Sequence, residues 1–399
     1  MNPLPPGAML GILGGGQLGR MSAMAAARLG YRCHIYAPGA DEPGMQVAAA
    51  RTVAAFEDRE ALARFADQVD VVTFEFENVP AETVEILSRR VTCRPGEKAL
   101  GICQDRLQEK AFLEGIGVPV APWRAVRTEA ELQAAVAELG LPAVLKTTRL
   151  GYDGRGQAVL RHPDDLAAAW ARLAPRPLIL EGFVPFTLEV SAIAARGADG
   201  ALAVFDATEN AHRHHILDIS FAPARVAPEV AAAAREHVAA VARGLDLVGL
   251  VALEMFLLPD GRLIGNEIAP RPHNSGHWTM DACTASQFEQ HIRAVVGLPL
   301  AVPDRHHDAV MRNLIGPEGM AAWSCACARG ASTAFWSGRG TLWGRASVSA
   351  RAALRTITSS PAFELRWPAV TTTPPLNFCG YAKKLLRGDL VFTPVAVPA

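Results

Sequence analysis

Gly151-Tyr152-Asp153-Gly154-Arg155-Gly156-Gln157 is the stretch of this 399-residue chain that decides its fold, and it begins five residues after Lys146. Three glycines in seven residues allow a tight turn whose N–H groups can approach an anion, and Lys146 and Arg155 supply positive charge on either side. The stretch matches neither the G-x-x-x-x-G-K-[ST] loop nor the dinucleotide fingerprint. A strand, a lysine and a glycine-rich hairpin predict a lid over nucleotide phosphates, although a plain β-hairpin turn has the same composition.

A pair of carboxylates in two apolar segments is the second signal. Glu254 lies in one segment and Glu267 in the next, and Pro259-Asp260-Gly261 between them is a strong hairpin signal. A carboxylate in an apolar strand is costly unless a positive group meets it. On neighbouring antiparallel strands, Glu254, Asn266 and Glu267 could offer oxygen ligands to Mg²⁺, which ATP phosphates would complete. The alternative is two surface strands that carry solvated acids.

The composition favours a small-molecule ligand. Half of the residues are hydrophobic, a fifth are charged, and the formal net charge is −1, which gives no sign of a nucleic-acid or membrane-surface partner. No apolar run approaches the length of a membrane span, and the first residues lack the basic start of a signal peptide. Seven cysteines at irregular spacing predict neither a disulfide framework nor a zinc site. We therefore expect a reduced, soluble, cytoplasmic protein.

The first hundred residues alternate strands and helices. A buried strand from residue 9 runs into Gly14-x-Gly16-x-x-Gly19, and a helix is predicted over 20–29. Further strands over 31–36 and 69–76 complete a doubly wound parallel pattern. No acidic residue ends the second strand, so we expect the glycine turn to cradle another phosphorylated ligand or merely to pack closely, rather than to bind a dinucleotide.

The middle of the chain mixes helices with antiparallel strands. The periodicity predicts helices over 105–115, 129–139, 164–173 and 229–245, and paired strands over 187–196 and 201–206. Residues 209–218, which include His212, His214 and His215, are predicted to be a polar connection that is either a solvated loop or a nucleotide contact.

A polar run follows the carboxylate hairpin. Residues 270–278 contain Arg271, Asn274 and Ser275, a set that can neutralise and hydrogen-bond a phosphate or carbonate. Because the run has too little apolar content to form a core, it predicts a polar ligand site. A purely structural loop is the alternative.

Together these segments resemble the family of ATP-grasp enzymes that make 5-(carboxyamino)imidazole ribonucleotide in purine synthesis. The resemblance covers residues 9–317, and its branch-specific motifs are Tyr152–Gln157 and Asn274–Trp278. It implies an α/β and α+β architecture with three parts. These are a Rossmann-like pre-ATP-grasp domain over 1–104, a two-lobed ATP-grasp domain over 105–300 with its lid at 118–182, and a small C-terminal domain over 301–399.

The resemblance also implies the site residues. ATP would be surrounded by Arg106, Lys146, Gly151, Tyr152, Asp153, Gly154, Arg155, Gly156, Gln157, Glu181, Gly182, Phe183, Val184, Glu189, His212, Asn266 and Glu267. Mg²⁺, or Mn²⁺ in its place, would bind Glu254 and Glu267. The bicarbonate and amine side would be formed by Tyr152, Asp153, Arg155 and Arg271, with Asp153 as the candidate proton acceptor. The ribonucleotide would contact Gln17, Glu75, Asn274, Ser275, Arg339 and Arg345.

The implied reaction has two steps. Bicarbonate attacks the γ-phosphate of ATP to give carboxyphosphate and ADP, and the exocyclic amine of aminoimidazole ribonucleotide then captures the carboxyl group or released CO₂. Metal ion and cationic side chains would offset the charge on the transferred phosphoryl group, while a closed lid would exclude water. The family also implies a homodimer and delivery of the product to the mutase of the same pathway.

The C-terminal segment departs from the family pattern. Where the family has aromatic-x-x-Lys and then Gly-Arg-Lys-x-Gly-His, this chain has Trp336–Arg339 and Gly344–Ser349, so Ala346 and Ser349 replace the lysine and the histidine. Losing one charge-assisted phosphate contact costs about 1.5–3 kcal/mol. We expect a segment that is either heavily diverged or out of frame relative to an ancestral coding sequence.

Two rival functions follow from these features. One is another ATP-grasp ligase, such as a formate-dependent glycinamide ribonucleotide transformylase or a biotin carboxylase-like protein. The other is a nucleotide-binding protein whose altered C-terminal domain impairs turnover.

Overall fold

The computed structural model describes residues 2–151 and 156–315, together with the backbone of 332–338 and 341–349. These residues form a four-stranded parallel sheet, a four-stranded antiparallel sheet and a nine-stranded sheet. Their architecture confirms the predicted combination of α/β and α+β parts. Within the described part of the chain, no helix has the length and apolarity needed to cross a bilayer.

The first sheet is the doubly wound sheet that the N-terminal pattern predicts. Its strands are β1 (Met9–Leu13), β2 (Arg32–Ala37), β3 (Ala50–Val53) and β4 (Val71–Phe74). They are all parallel and pair in the order β3-β2-β1-β4. The helices of this region are α1 (Gln17–Arg28), α2 (Arg59–Ala66), α3 (Ala81–Ser88) and α4 (Glu97–Cys103), with a 3₁₀ helix at Pro43–Gln46.

The second sheet carries Lys146. After α5 (Arg106–Gly115) come β5 (Trp123–Val126), α6 (Glu129–Leu139), β6 (Ala143–Thr147), β7 (Gln157–Leu160), α7 (Asp165–Leu173) and β8 (Leu178–Gly182). The strands are antiparallel in the order β5-β8-β6-β7. Lys146 lies opposite Gln157 in the β6–β7 pair. The pairing of β6 with β7 therefore confirms the predicted hairpin.

The third sheet holds the carboxylate hairpin. Its elements are β9 (Leu188–Arg196), β10 (Leu202–Val204), β11 (Thr208–Arg213), β12 (Ile216–Ala222), α8 (Pro228–Gly244), β13 (Gly249–Leu257), β14 (Leu263–Ala269), a 3₁₀ helix at Asn274–Gly276, α9 (Thr279–Ala282), α10 (Gln287–Val296), β15 (Ala309–Ile315), β16 (Ser332–Gly338) and β17 (Thr341–Ser349). The order is β14-β13-β9-β11-β12-β15-β17-β16, with β10 paired to β9.

A helix from the far end of the ATP-grasp region completes the core of the first sheet. Phe288 and Ile292 of α10 pack with Leu10 and Ile35, beside α1. Phe65 of α2 belongs to a separate buried cluster that includes β4 and α3. Each such side chain contributes about 1.5–3 kcal/mol when fully buried. Because apolar groups cover both faces of the sheet here, strands β1 and β4 are nearly continuous hydrophobic runs.

The solvated-loop interpretation of residues 209–218 is wrong, because these residues belong to a β-hairpin. Strands β11 and β12 pair, and His214 and His215 form the turn with φ values of 52° and 63°. Glu209 and Asn210 are buried although they are polar. Buried polar side chains persist where hydrogen bonds satisfy them, so polarity alone misidentified the segment. The sequence reasoning also missed β3, α2 and α4.

Candidate functional site

Lys146 is partly buried on β6, beside the buried Glu181 of β8. Its Nζ lies 3.1 Å from Oε1 of Glu181, and Nζ of Lys110 on α5 lies 3.4 Å from Oε2. Burial alone would raise the pKa of Glu181, but the two ammonium groups lower it to about 2. Sequence reasoning missed Lys110, because a lysine in an ordinary helical pattern gives no signal of burial. The three groups concentrate positive charge near the hairpin loop.

Glu254 and Glu267 lie directly opposite each other on β13 and β14, which confirms the predicted pairing of the two strands. The register shifts after Glu254, where Asn266 is the additional residue of a bulge. Nη1 of Arg106 lies 3.4 Å from Oε2 of Glu267, and Nη2 donates to the carbonyl of Gly151 at 3.0 Å. Arg106 thus connects the carboxylate pair to the start of the glycine-rich loop.

The carboxylate pair is not a complete metal cage. Among the residues that the structure describes, no group of three or more acidic, histidine or cysteine side chains could hold an ion. Two opposed carboxylates supply hard oxygen ligands, and Mg²⁺ is commonly bound by one or two carboxylates together with substrate phosphates. The donor set therefore fits a cation that arrives with a nucleotide.

His212 and Glu189 extend the charged surface across neighbouring strands. Nδ1 of His212 on β11 contacts the carboxylate of Glu189 on β9. Partial burial lowers the pKa of His212, but the hydrogen bond and charge of Glu189 raise it overall. Glu254 and Glu267 raise the pKa of His212 further. Glu189 lies opposite Phe256 of β13, two residues from Glu254, so the pair is close to the carboxylate hairpin.

Arg271 follows β14 and is held by Glu77, which lies beyond the end of β4. Nε of Arg271 donates to the Glu77 carboxylate, and Nη1 donates to the carbonyl of Pro272 at 3.0 Å. Burial would raise the pKa of Glu77, but the guanidinium lowers it. Glu77 was not among the predicted site residues. Glu77 could have been identified from the sequence, because it lies two residues after Glu75 and both follow a parallel strand. Ligands bind at the carboxyl ends of such strands.

The glycine turn before α1 is filled by carboxylates of the chain itself. Glu75 accepts the N–H groups of Gly16 and, at 2.6 Å, of Gly19, while Glu42 accepts that of Gly15 at 2.9 Å. A Cβ on Gly16 would lie 2.5 Å from Oε1 of Glu75, so the Glu75 carboxylate would have to shift to admit any other residue. Burial raises the pKa of Glu75 to about 7 in spite of the two N–H donors. The turn packs closely, the second of the two expectations for it.

The polar run after β14 is largely buried, so the expectation that it could not join a core is wrong. Ser275 is 0% exposed, and His277 and Trp278 are each 1% exposed. Nε2 of Gln287 donates to the carbonyl of His273 at 2.7 Å, which fixes the run against α10. Polar side chains can lie in a core when they bond to one another, and composition does not reveal those partners.

Asn274 and Ser275 differ in whether their side-chain oxygen already has a hydrogen-bond partner within the described residues. Oδ1 of Asn274 is buried and has no hydrogen-bond partner within the described residues. The hydroxyl of Ser275 is engaged by Ser191 and His273. The predicted contacts of both residues with substrate remain predictions, and that of Ser275 requires its hydroxyl to exchange partners.

The remaining predicted residues are placed as follows. Gln17 begins α1, Gly151 and Gly156 flank the undescribed part of the hairpin loop, Gln157 begins β7, and Gly182, Phe183 and Val184 end and follow β8. The backbone of Arg345 lies in β17 opposite Asn313. Tyr152, Asp153, Gly154, Arg155 and Arg339 lie outside the described residues.

Comparisons with known proteins agree with this arrangement. The ribonucleotide synthetase preATP-grasp domain matches residues 8–104, and the ATP-grasp domain matches residues 111–288. N5-carboxyaminoimidazole ribonucleotide synthase of Brucella melitensis biotype 1 is 52% identical over 317 residues, which are 79% of this chain and 88% of that protein.

Solved structures give the same result. An N5-carboxyaminoimidazole ribonucleotide synthetase in complex with ADP has a TM-score of 0.84 at 38% identity and covers 89% of this chain and 97% of that chain. The N5-carboxyaminoimidazole synthase of Aspergillus clavatus, solved with ADP and 5-aminoimidazole ribonucleotide, has a TM-score of 0.80 at 30% identity, covering 86% of this chain and 94% of that chain.

The two matched domains and the charged groups around Glu254 and Glu267 define an ATP-grasp ligase. Within that class, the chain belongs to the N5-carboxyaminoimidazole ribonucleotide synthase family, as the resemblance in sequence predicts.

Proposed function

We propose that this chain uses ATP to carboxylate 5-aminoimidazole ribonucleotide with bicarbonate, giving 5-(carboxyamino)imidazole ribonucleotide, ADP and phosphate. The observation that carries the proposal is the cleft in which Glu254 opposes Glu267 beside Arg106. Opposed carboxylates that are partly neutralised by the partly buried guanidinium of Arg106 suit a nucleotide bound with a divalent ion.

The chemistry divides between the two halves of the cleft. An oxygen of bicarbonate attacks the γ-phosphorus, and ADP leaves to give carboxyphosphate. The amine of the ribonucleotide then attacks the carboxyl carbon, phosphate leaves, and a base takes the amine proton. Phosphoryl transfer depends mainly on positioning and on offsetting negative charge. Lys146 is assigned to the ATP phosphates, and Glu181 holds its ammonium group 3.1 Å away.

Glu254 and Glu267 are assigned to the divalent ion, Mg²⁺ or Mn²⁺. When bound, the ion would offset charge on the triphosphate and on the phosphoryl group in transfer. Arg106 keeps Glu267 oriented through its contact at 3.4 Å. His212 and Glu189, paired on the neighbouring strands, are assigned to the nucleotide side.

Arg271 is assigned to the oxyanion of bicarbonate or carboxyphosphate. Its Nε and Nη1 are bonded within the protein, which fixes the plane of the guanidinium. A fixed guanidinium is a better anion ligand because less entropy is lost on binding. The remaining reacting groups are assigned to Tyr152, Asp153 and Arg155, with Asp153 as the acceptor of the amine proton.

The ribonucleotide is assigned to the side of the cleft near the first sheet. Gln17, Glu75 and Asn274 would contact its ribose and base, with Ser275 close by. Arg339 and Arg345 would hold its phosphate. We also propose that the protein works in the cytoplasm as a homodimer and passes its product to the mutase of the pathway.

The test is ADP release by the purified protein with Mg²⁺-ATP and bicarbonate, with and without aminoimidazole ribonucleotide. Stimulation by the ribonucleotide supports the proposal, and stimulation by formate with glycinamide ribonucleotide instead would assign another ATP-grasp ligase. ATP binding without any stimulated turnover would indicate a nucleotide-binding protein that the altered C-terminal segment has disabled.

A matched pair of lysine variants localises the activity. Lys146→Met removes the cation assigned to the phosphates, and we expect a loss of about 100-fold or more in kcat. Lys98→Met is the control, because Lys98 is exposed on α4 and only donates to the carbonyl of Gly244 at 3.1 Å. Equal activity of the two variants would contradict the assignment of Lys146.

A further inference from the structure

A chain of buried side-chain hydrogen bonds crosses the nine-stranded sheet. Oγ of Ser220 donates to Oδ1 of Asn210 at 2.8 Å, and Nδ2 of Asn210 donates to Oγ of Ser191 at 2.9 Å. The Ser191 hydroxyl then donates to Oγ of Ser275 at 2.7 Å. Ser191, Ser220 and Ser275 are each 0% exposed, and Asn210 is 7% exposed. The chain therefore runs entirely inside the protein.

The chain ends at one of the two opposed carboxylates. Oγ of Ser275 lies 2.9 Å from Nδ1 of His273, and Nε2 of His273 lies 3.1 Å from Oε1 of Glu254. Ser191 is the cross-strand partner of Glu254, and Ser220 is that of Asn210. Cross-strand partners share a face of the sheet, so the chain lies on the face that bears Glu254.

The donors in this chain all point toward Glu254. A serine hydroxyl has one proton, so Ser191, which donates to Ser275, leaves the proton of Ser275 for His273. The backbone N–H of Ser275 is also directed at Nδ1 of His273, at 3.3 Å. This backbone donor makes Nδ1 an acceptor whichever way the Asn210 amide is turned. A neutral imidazole that accepts at Nδ1 carries its proton at Nε2, and that proton faces Glu254.

We propose that His273 is a positioning residue for Glu254. The chain from Ser220 to Ser275 holds His273 as its Nε2–H tautomer, and Nε2–H orients the Glu254 carboxylate toward the divalent ion. This inference rests on the proposed function, which assigns that ion to Glu254 and Glu267. Groups that orient a metal ligand typically change metal affinity by about 10–100-fold when they are removed.

The first experiment measures Mn²⁺ binding by electron paramagnetic resonance, with the full-length protein and a non-hydrolysable ATP analogue. We expect His273→Ala to lower Mn²⁺ affinity by about 10-fold or more. His273→Gln should retain most of it, since the glutamine amide can place an N–H near the position of Nε2. Ser275→Ala should give an intermediate loss, because the imidazole keeps the backbone donor only.

Ser22→Ala is the matched control. Ser22 is a serine of α1 that is 2% exposed and lies outside the chain of hydrogen bonds. The Ser22→Ala substitution should lower the thermal unfolding temperature without changing Mn²⁺ affinity. If Ser275→Ala also lowers the thermal unfolding temperature but leaves Mn²⁺ affinity unchanged, the chain of hydrogen bonds has only a structural role and the proposal is overturned.

Glu254→Gln separates this inference from the proposed function. Unchanged Mn²⁺ affinity in Glu254→Gln would show that the ion is not bound there, and both proposals would fail. Weakened binding in Glu254→Gln with wild-type binding in Ser275→Ala and His273→Ala would overturn only the role of His273. If His273→Ala does not fold, the comparison of His273→Gln with Ser275→Ala decides.

A second measurement reads the tautomer directly. ¹⁵N-histidine labelling, with His273→Gln to assign the signals, should show the His273 proton on Nε2 in the wild-type protein. A proton on Nδ1 would overturn the proposal.

Discussion

Glu77 illustrates what one side chain contributes to the cleft. It follows a strand of the first sheet, yet its partner Arg271 follows β14 of the nine-stranded sheet. The pair therefore joins the two regions at the point where bicarbonate is proposed to bind. Since both side chains are mostly buried, solvent screens their attraction only weakly.

We expect Glu77→Gln to lower the free energy of unfolding by roughly 1–3 kcal/mol, because a buried guanidinium then loses its charged acceptor. Urea denaturation of Glu77→Gln, Arg271→Gln and the double variant measures this. The double variant should be more stable than the sum of the single effects predicts, by roughly 0.5–3 kcal/mol. Strictly additive effects would show that the two side chains do not interact.

Helix α1 shows how an element depends on a partner distant in sequence. Its N-terminal N–H groups are satisfied by Glu75 rather than by a local capping side chain. The helix accordingly begins at Gln17, earlier than the predicted start at residue 20. Gly19 lies so close to the preceding turn that an added Cβ would be 2.8 Å from the carbonyl oxygen of Gly14.

Two glycine-to-alanine substitutions in helices should change the free energy of unfolding in opposite directions. Alanine normally stabilises a helix by about 0.5–1 kcal/mol relative to glycine. Gly101→Ala in α4 should show this gain, because an added Cβ would meet nothing within 4 Å. Gly19→Ala should instead destabilise by roughly 1–3 kcal/mol, because the backbone of the turn must move. Urea unfolding compares them, and a stabilised Gly19→Ala variant would refute the close approach.

At the scale of the whole molecule, the site is assembled from separate sheets. The second sheet supplies Lys146 and Glu181, while four strands of the nine-stranded sheet supply Glu189, His212, Glu254 and Glu267. Strands β15–β17 extend the same large sheet.

The acid stability of the molecule should depend on Glu181. Its pKa is about 2 in the folded protein, against 4.5 as its ordinary value. Between these values the unfolded chain binds more protons, so stability falls as the pH drops from about 4.5 to 2. The loss in the free energy of unfolding that Glu181 causes over this pH range is about 3 kcal/mol. Urea unfolding of Glu181→Gln from pH 5 to pH 2.5 should show a shallower loss than the wild-type protein.

Glu138→Gln is the control for this pH dependence. Glu138 lies on α6 with a half-exposed side chain paired to Arg124. Its variant should keep the steep wild-type loss of stability in acid. The same steep loss in Glu181→Gln would exclude Glu181 as its source.

The sequence by itself determined the local pieces of this protein and its family. The hairpin after Lys146, the opposed Glu254 and Glu267, and the alternation of the first sheet all follow from short-range periodicity and turn chemistry. These signals are carried by residues close together in the chain, so they could be recognised without a structure.

Only the tertiary structure decided which charged and polar groups meet. Lys110 beside Glu181, Glu77 beside Arg271, and Glu75 in the glycine turn are partners that lie far apart in sequence. The polar segments 209–218 and 270–278 were misread for the same reason, because several of their polar side chains are buried. A buried polar side chain is costly unless a hydrogen-bond or charge partner reaches it, and folding is what brings that partner into place.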